Sequence, residues 1–175
     1  MPRPSNRDRV LDAFERLLVD DVGAAVTLDA VAAAAQVSKG GLLYHFPSKD
    51  ALVDGLADRL REQVADDVEA LLAAPEGPVA YWLSTSASGS PAALTRTAQA
   101  VLRLAGAGQV AAREVMAEAD RAWTGALERR IGDPVLARLV RLVGDGLFLE
   151  VLTGLPERSD PASLQVLLER MVRTG

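Results

Sequence analysis

Residues 27–52 read TLDAVAAAAQVSKGGLLYHFPSKDAL, and this segment contains the clearest helix boundaries of the chain. Thr27 and Ser38 each precede a run rich in alanine or leucine, and a hydroxyl at such a position accepts the free N–H groups of a helix that begins there. Gln36-Val37 leaves room only for a short turn between the two predicted helices, and Pro47 ends the second one. Two short helices joined by a tight turn have the spacing of a helix-turn-helix, in which the second helix enters the DNA major groove. Three helices that only share a core would have the same spacing.

The rest of the chain also carries helical patterns, and it shows no sustained strand alternation. Apolar residues recur at intervals of three and four, as in the stripe Val10, Phe14, Leu17 and Leu18. Clear breaks fall at Pro75–Pro78 and at pairs of a capping residue followed by proline. The chain is therefore predicted to be all-α with about nine helices. They are expected over about 7–19, 28–35, 39–46, 48–74, 79 to the serines at 84–90, 91–104, 109–131, 134–153 and 161–173.

The composition excludes several classes of function. The 175 residues contain no cysteine and one histidine, His45, which excludes a thiolate or two-imidazole metal site and a cysteine nucleophile. No apolar run approaches the ~18 residues of a membrane span, and the first four residues lack the apolar core of a signal peptide. We expect a cytoplasmic protein that needs no metal and no cofactor. The formal net charge is −5, so any binding to nucleic acid must depend on local positive charge.

Beyond their spacing, the residues of the first third of the chain resemble the tetracycline-repressor (TetR) family of bacterial regulators. The resemblance covers about residues 6–55. The matching stretches are Val10-Leu11, Ala13-Phe14, Leu17-Leu18, Thr27–Ala32, Val37–Phe46 and Ser48–Leu52. It implies an N-terminal helix-turn-helix DNA-binding domain, here 1–47, and a helical effector-binding and dimerisation domain, here 48–175. It also implies dimerisation through the last two helices and release of the operator when an effector binds.

Eight residues around the predicted recognition helix are candidates for contacts to double-stranded DNA. A hydroxyl or N–H at a helix N-terminus binds phosphate, and a lysine reaches a phosphate or a guanine edge. The family usually has tyrosine where this chain has Leu43, and Tyr44, one position later, is displaced by about 100° around the helix. The candidates are Thr27, Ser38, Lys39, Gly40, Gly41, Tyr44, His45 and Lys49, and the glycines would let the helix approach the groove closely. Arg3, Arg7 and Arg9 form either a basic arm on the DNA or a solvated tail.

The helix predicted over 134–153 is apolar almost all round, so it must be buried on more than one side. In a chain of this length a second copy supplies the second surface, although a helix at the centre of a monomer would show the same pattern. The last helix offers a matching apolar stripe, and we expect a two-fold homodimer interface of four helices. The candidate interface residues are Leu136, Val140, Val143, Leu147 and Val151, followed by Leu164, Leu167, Leu168 and Met171.

Large apolar groups and isolated acids in the second domain are candidates for an effector site. Small-molecule sites mix aromatic side chains with a few polar anchors, and an acid on an apolar helix can pair with a cationic group. Ordinary core packing and solvated acids would give the same pattern. Asp145 is the first choice of anchor, because Gly144 and Gly146 would permit a close approach of another helix. The candidates for this unknown, largely apolar small molecule are Trp82, Met116, Asp120, Trp123, Asp145 and Phe148.

Two other classes of function are weighed against a regulator. An enzyme is disfavoured, because the chain lacks a histidine pair, a cysteine, an HExxH motif and a nucleophile elbow. A helical adaptor that binds only other proteins is the alternative, but it has no need of exposed Ser38, Lys39, Tyr44 and Lys49 together. The sequence therefore predicts a ligand-responsive, sequence-specific DNA-binding regulator of a palindromic operator. Repression relieved by an effector follows from the family resemblance, and the residues themselves fit an activator equally.

Overall fold

The all-α prediction is confirmed in the computed structural model, which describes residues 5–20, 26–154 and 160–174. Within those ranges the chain forms nine α-helices and no strand. Most observed bounds lie within a residue or two of the predicted ones. The helices are α1 (Asn6–Asp20), α2 (Leu28–Ala35), α3 (Lys39–His45), α4 (Lys49–Ala73), α5 (Pro78–Ser88), α6 (Ala92–Gly106), α7 (Val110–Ile131), α8 (Pro134–Thr153) and α9 (Pro161–Thr174).

Six helices begin at a polar side chain that accepts backbone N–H groups of the first turn. At α8, for example, Asp133 Oδ1 accepts hydrogen bonds from the N–H groups of Val135 at 2.7 Å and Leu136 at 2.9 Å. These side chains satisfy N–H groups that the helix itself leaves unpaired. The six caps are Ser5, Thr27, Ser38, Ser48, Asp133 and Asp160.

The serine-rich segment after Leu83 stays helical as far as Ser88, within the range 84–90 predicted for the end of α5. The Ser88 hydroxyl donates to the carbonyl of Ser84 at 2.7 Å, and the Thr85 hydroxyl donates to the carbonyl of Tyr81 at 2.9 Å. Because these hydroxyls bond within the helix, they do not compete for its N–H groups. The helix ends at Gly89, whose φ of 62° lies in the left-handed region that favours glycine.

The helices pack as two compact units that do not follow the order of the chain. The first unit, here called the helix-turn-helix unit, comprises Met1–Arg61 and Arg96–Met116, and the second, the C-terminal unit, comprises Glu62–Thr95 and Ala117–Gly175. Helices α4, α6 and α7 each cross from one unit to the other. The predicted boundary after residue 47 divides the chain into a DNA-binding domain and an effector-binding and dimerisation domain. This division by function stays a prediction.

In the helix-turn-helix unit, α1, α2 and α3 pack around a small apolar core. Leu11, Phe14 and Leu42 are fully buried, and Phe46 just after α3 is nearly so. A Cβ at Gly55 would lie 2.7 Å from the Phe46 ring, so only glycine lets α4 pass this close to the end of α3. The recognition helix is therefore held at its C-terminal end by contacts with the core.

In the C-terminal unit, α5 packs along α8 and against α9. Buried residues of α5, α7, α8 and α9 form one apolar cluster around Trp82, Leu83, Leu127 and Val140. Removing these side chains from water supplies the main stabilising free energy of this unit.

The predicted dimer interface needs a correction on α8 and α9. Val140 is 0%, Leu147 6% and Leu168 4% exposed, because these side chains pack into the core of their own protomer. The exposed apolar residues of α8 are instead Val135, Leu142 and Leu149, at 75%, 51% and 54%, spaced by seven on one face. Of the other predicted interface residues, Val151 and Leu167 are exposed, and Leu136, Val143, Leu164 and Met171 are half-buried.

No helix among the described residues combines the length and the apolar character that a membrane crossing needs.

Candidate nucleic-acid interface and effector cluster

The N-terminal ends of α2 and α3 are built as the sequence predicts. Thr27 Oγ1 accepts a hydrogen bond from the N–H of Ala30 at 3.2 Å, and Ser38 Oγ accepts one from the N–H of Gly41 at 3.0 Å. Both capping residues have extended backbone, and both are exposed. Each helix therefore presents a hydroxyl and the positive end of its dipole to solvent.

An ion pair brings these two helix ends together. Lys39 Nζ in the first turn of α3 lies 2.9 Å from Asp29 Oδ1 in the first turn of α2. The two side chains are 60% and 70% exposed, so the pair contributes little to stability. A phosphate oxygen can take the place of the carboxylate at small cost.

Most of α3 faces away from the core of its unit. Leu42 is the one fully buried residue of the helix, whereas Tyr44 is 84% exposed and Lys49, at the start of α4, is also exposed. The Tyr44 ring makes an edge-to-face contact with His45, with 5.1 Å between ring centroids. An aromatic side chain left almost wholly in water has the character of a contact surface.

The two glycines of α3 are not required by packing within the chain. A Cβ added at Gly40 would meet no heavy atom within 4 Å, and one at Gly41 would meet only Ser38 Oγ at 3.2 Å. Since glycine weakens a helix by about 1 kcal/mol relative to alanine, Gly40 costs stability without a compensating contact inside the protomer. At Gly41 a Cβ would crowd the Ser38 oxygen that caps α3, whereas the open space at Gly40 permits close approach of a partner outside the chain.

Arg7 and Arg9 lie within α1 and not in an extended arm or tail. The Arg7 guanidinium lies 5.5 Å from the centroid of the Phe46 ring. Arg9 donates to the carbonyl of Ala35 at 2.7 Å and to that of Gln36 at 3.3 Å. Arg9 thus binds the carbonyl end of α2, where a cation is favoured by the helix dipole. Arg3 lies outside the described residues.

In the C-terminal unit, four predicted effector residues meet around a buried cation that the sequence analysis missed. Arg141 on α8 is 7% exposed. Its guanidinium carbon lies 4.7 Å from the Trp82 ring centroid and 5.2 Å from that of Trp123, both within cation–π range. It is paired with Asp145 one turn later on α8 and with Asp120 of α7 at 3.7 Å.

Burial makes this guanidinium costly to charge. Desolvation lowers the pKa of Arg141 to about 10, with Asp120 acting against the shift and Arg138 adding to it. The group is still a cation at neutral pH. Its Nε is buried without a hydrogen-bond partner among the described residues. A buried polar atom left unpaired marks a site whose contacts are incomplete.

A second buried charge orients one of the two indoles. Asp67 of α4 is 6% exposed, and it accepts hydrogen bonds from Tyr81 Oη at 2.7 Å and Trp123 Nε1 at 2.8 Å. Burial, followed by the bond to Asp67, raises the pKa of Tyr81. Asp67 was not among the predicted residues, although it continues the α4 stripe formed by Leu60, Val64 and Leu71 at helical spacing.

The remaining two predicted effector residues do not join this cluster. Phe148 is half-buried on α8, and Met116 belongs to the helix-turn-helix unit. Four of the six predicted residues therefore share one cluster with Arg141 and Asp67, and their role in binding an effector stays a prediction. Among the described residues no group of acidic or histidine side chains is arranged to hold a metal ion.

Comparison with known protein families gives matches over both parts of the chain. A family model described as "Bacterial regulatory proteins, tetR family" matches residues 10–56. A second, described as "Tetracyclin repressor-like, C-terminal domain", matches residues 76–174, which is more than half of the chain.

Individual relatives agree with these matches. The HTH-type transcriptional regulator AlkX of Mycobacterium tuberculosis is 41% identical over 71 residues, which are 41% of this chain and 34% of AlkX. The match thus spans about a third of the length of that curated relative.

Solved structures extend the likeness to nearly the whole chain. A TetR-family member, SCO1917 of Streptomyces coelicolor A3, is 29% identical with a TM-score of 0.73, and the match covers 95% of this chain and 98% of that one. The multidrug binding protein EbrR complexed with malachite green is 28% identical with a TM-score of 0.71, over the same shares of each chain. A helix-turn-helix followed by a matching helical C-terminal region shows that the chain belongs to the TetR family of bacterial DNA-binding transcriptional regulators.

Proposed function

We propose that this chain is a dimeric repressor that binds a palindromic operator through α3 and is released by a small-molecule effector. The observation that carries the proposal is the exposed set Lys39, Tyr44 and Lys49 on and beside a helix that only Leu42 anchors fully in the core. Two such helices in a two-fold dimer would lie about 34–36 Å apart and read two half-sites one helical turn apart.

The test of DNA binding is selection of bound sequences from random duplexes by the purified protein at stated salt. A palindromic consensus is expected. The double variant Lys39→Ala/Lys49→Ala should lose most of the affinity for that consensus. Its matched control is Arg129→Ala/Arg170→Ala, which removes the same charge from exposed positions of α7 and α9. Equal retention of the consensus by both double variants would remove Lys39 and Lys49 from the DNA interface, and a protein that selects no consensus would favour the helical adaptor without DNA binding.

For the dimer, the proposed surface is the exposed apolar face of α8 with its neighbours on α9. Val135, Leu142 and Leu149 are joined there by Val166 and Leu167, which are 65% and 44% exposed. Large apolar groups grouped on the outer faces of two adjacent helices are typical of an isologous interface.

The effector is proposed to bind at the indoles of Trp82 and Trp123, in competition with the guanidinium of Arg141. Two aromatic faces and two partly exposed carboxylates, Asp120 and Asp145, suit an aromatic cation. EbrR, which is complexed with malachite green in one structure and with ethidium in another, supports this class of ligand.

The chain offers a direct readout of this site, because Trp82 and Trp123 are its only tryptophans. Titration with malachite green or ethidium should change their fluorescence saturably. Asp145→Asn should weaken the binding, whereas the control Glu150→Gln, on the same helix, should leave it unchanged. Saturable binding that is identical in the two variants would remove Asp145 from the effector site.

Linkage gives a further test of the repressor mechanism. If the effector lowers operator affinity by a given factor, the operator must lower effector affinity by the same factor. Operator affinity measured with and without saturating effector at one salt concentration gives this factor, and an operator affinity that the effector leaves unchanged would contradict release by the effector.

A further inference from the structure

A cleft in the helix-turn-helix unit gathers three arginines that the DNA-reading surface does not use. It has a volume of about 460 Å³. Its charged lining residues are Arg9 and Arg16 of α1, Arg96 of α6 and a single carboxylate, Asp12. Three cations against one anion is an unusual local balance in a protein whose net charge is −5.

The single carboxylate of the cleft is already engaged elsewhere. Asp12 Oδ1 accepts from Arg59 Nη1 at 2.7 Å. Arg59, whose side chain is 16% exposed, also pairs with the buried Glu15 at 2.9 Å. Because Asp12 and Glu15 serve Arg59, they leave the positive charge of the cleft under-neutralised.

Two of the three cleft arginines are held in place by neutral partners. Arg9 donates to the carbonyls at the end of α2, and Arg16 Nη2 donates to the carbonyl of Ala34 at 3.4 Å. A guanidinium has five N–H donors, so these bonds orient the group without cancelling its charge. Such fixed donors bind an anion with little loss of side-chain entropy.

The third arginine completes the cleft from α6. Arg96 is exposed and forms no ion pair with another described residue. Its neighbour Thr97 is fully buried and donates its hydroxyl to Glu15. This bond fixes the turn of α6 that carries Arg96 against α1.

We propose that this cleft binds a phosphate-bearing anion, with Arg96 as the main charge partner and Arg9 and Arg16 as prepositioned donors. Guanidinium groups bind phosphate oxygens in a bidentate manner, and a di- or triphosphate supplies the several negative charges that three arginines require. The volume lies in the range of small-molecule sites. The phosphate can belong to a free compound or to the DNA backbone. Pyrophosphate affinity and the salt dependence of operator binding distinguish these two sources.

The test is calorimetric titration of the full chain with inorganic pyrophosphate at constant ionic strength. The wild type should bind saturably, and Arg96→Gln should weaken binding by about tenfold or more, since a charge-assisted contact is lost. Arg96 is exposed, so this variant should fold normally, as circular dichroism can verify. The matched control Arg129→Gln removes one exposed arginine from the C-terminal unit and should bind like the wild type.

A parallel titration with the selected operator distinguishes the two sources of phosphate. If the DNA backbone enters the cleft, Arg96→Gln should reduce the salt slope of operator binding by about one. If the ligand is a free compound, Arg96→Gln should leave the salt slope of operator binding unchanged and should lower the affinity for pyrophosphate. Pyrophosphate affinity equal in wild type and Arg96→Gln, or no binding together with an unchanged salt slope, would overturn the proposal. The pyrophosphate arm needs no operator, so its outcome is independent of the proposed repressor function.

Discussion

Helices α3 and α8 each carry a pair of glycines, and Gly40 in α3 and Gly144 in α8 have opposite surroundings. Around Gly40 in α3 there is open space, with no atom within 4 Å of a Cβ placed there. At Gly144 in α8, a Cβ would lie 2.6 Å from Trp82 Cδ1 and 2.9 Å from Ser86 Oγ. Gly144 lets α5 approach α8 inside the protomer, whereas Gly40 leaves room for something outside it.

Glycines within helices therefore serve different purposes, which depend on what surrounds each of them. In α8, Gly146, only two residues further on, meets nothing within 4 Å. Another helix was expected to approach closely at both Gly144 and Gly146, which flank Asp145. It does so only at Gly144. Four predictions follow from this contrast between a helix that faces outward and a helix that faces inward.

The largest effect is expected from a charge placed on the inner face of α8. Val140→Asp should destabilise the protein by about 3 kcal/mol or more, because it buries an unpaired carboxylate. Leu142→Asp, on the outer face, should keep the fold and lose the dimer. Chemical denaturation and sedimentation velocity measure the two effects. A stable Val140→Asp protein, or a Leu142→Asp protein that remains dimeric, would contradict the two faces assigned to α8.

The next effect separates the two glycines of α8. Gly144→Ala should cost roughly 1–3 kcal/mol, because the added methyl group forces the indole of Trp82 to move within a packed core. Gly146→Ala should be neutral or stabilising by up to about 1 kcal/mol, as expected at an open helical position. Thermal or urea unfolding of both variants measures the contrast. Equal free energies of unfolding would mean that the approach of α5 at Gly144 is not tight.

The two tyrosines also differ in exposure, and we expect the stability that Tyr81 contributes to depend on pH. The raised pKa of Tyr81 means that its contribution to stability is fully present below about pH 10, the pKa of an unfolded tyrosine, and is lost as pH rises further. Tyr81→Phe should lower the free energy of unfolding by about 1 kcal/mol at neutral pH. The difference in free energy of unfolding between this variant and the wild type should become smaller above pH 10. Tyr44→Phe, at an exposed position, is the control. Urea unfolding from pH 8 to 11 measures this difference in free energy of unfolding. A difference that becomes larger above pH 10 would contradict the raised pKa of Tyr81.

The smallest effect on stability is expected in α3. Gly40→Ala should stabilise the protein by up to about 1 kcal/mol, since the methyl group meets open space and alanine favours the helix. The same change should weaken operator binding if α3 approaches DNA closely at this position. Thermal unfolding and a binding titration measure the two properties on one preparation. A gain in both stability and affinity would remove the role assigned to Gly40.

The sequence by itself determined the features that depend on neighbours within one helical turn. The caps at Thr27, Ser38 and Asp133 bond to N–H groups two or three residues away, so the hydroxyl or carboxylate and its target are visible together. The residue identities around the turn of the helix-turn-helix were enough to indicate its family. For the same reason the order and bounds of the nine helices in the described ranges were predicted closely.

Only the tertiary structure decided which face of α8 is buried and what surrounds Arg141. Trp82 Nε1 donates to the carbonyl of Arg141 59 residues away, and Trp123 bonds to Asp67 56 residues away. A helix that is apolar almost all round has no polar stripe to mark its outer face, so its rotation is set by the shapes that pack against it. Val140 and Leu147, two of the five α8 residues expected to face a second copy, are therefore core residues, and they lie on a helix whose Gly144 packs against Trp82.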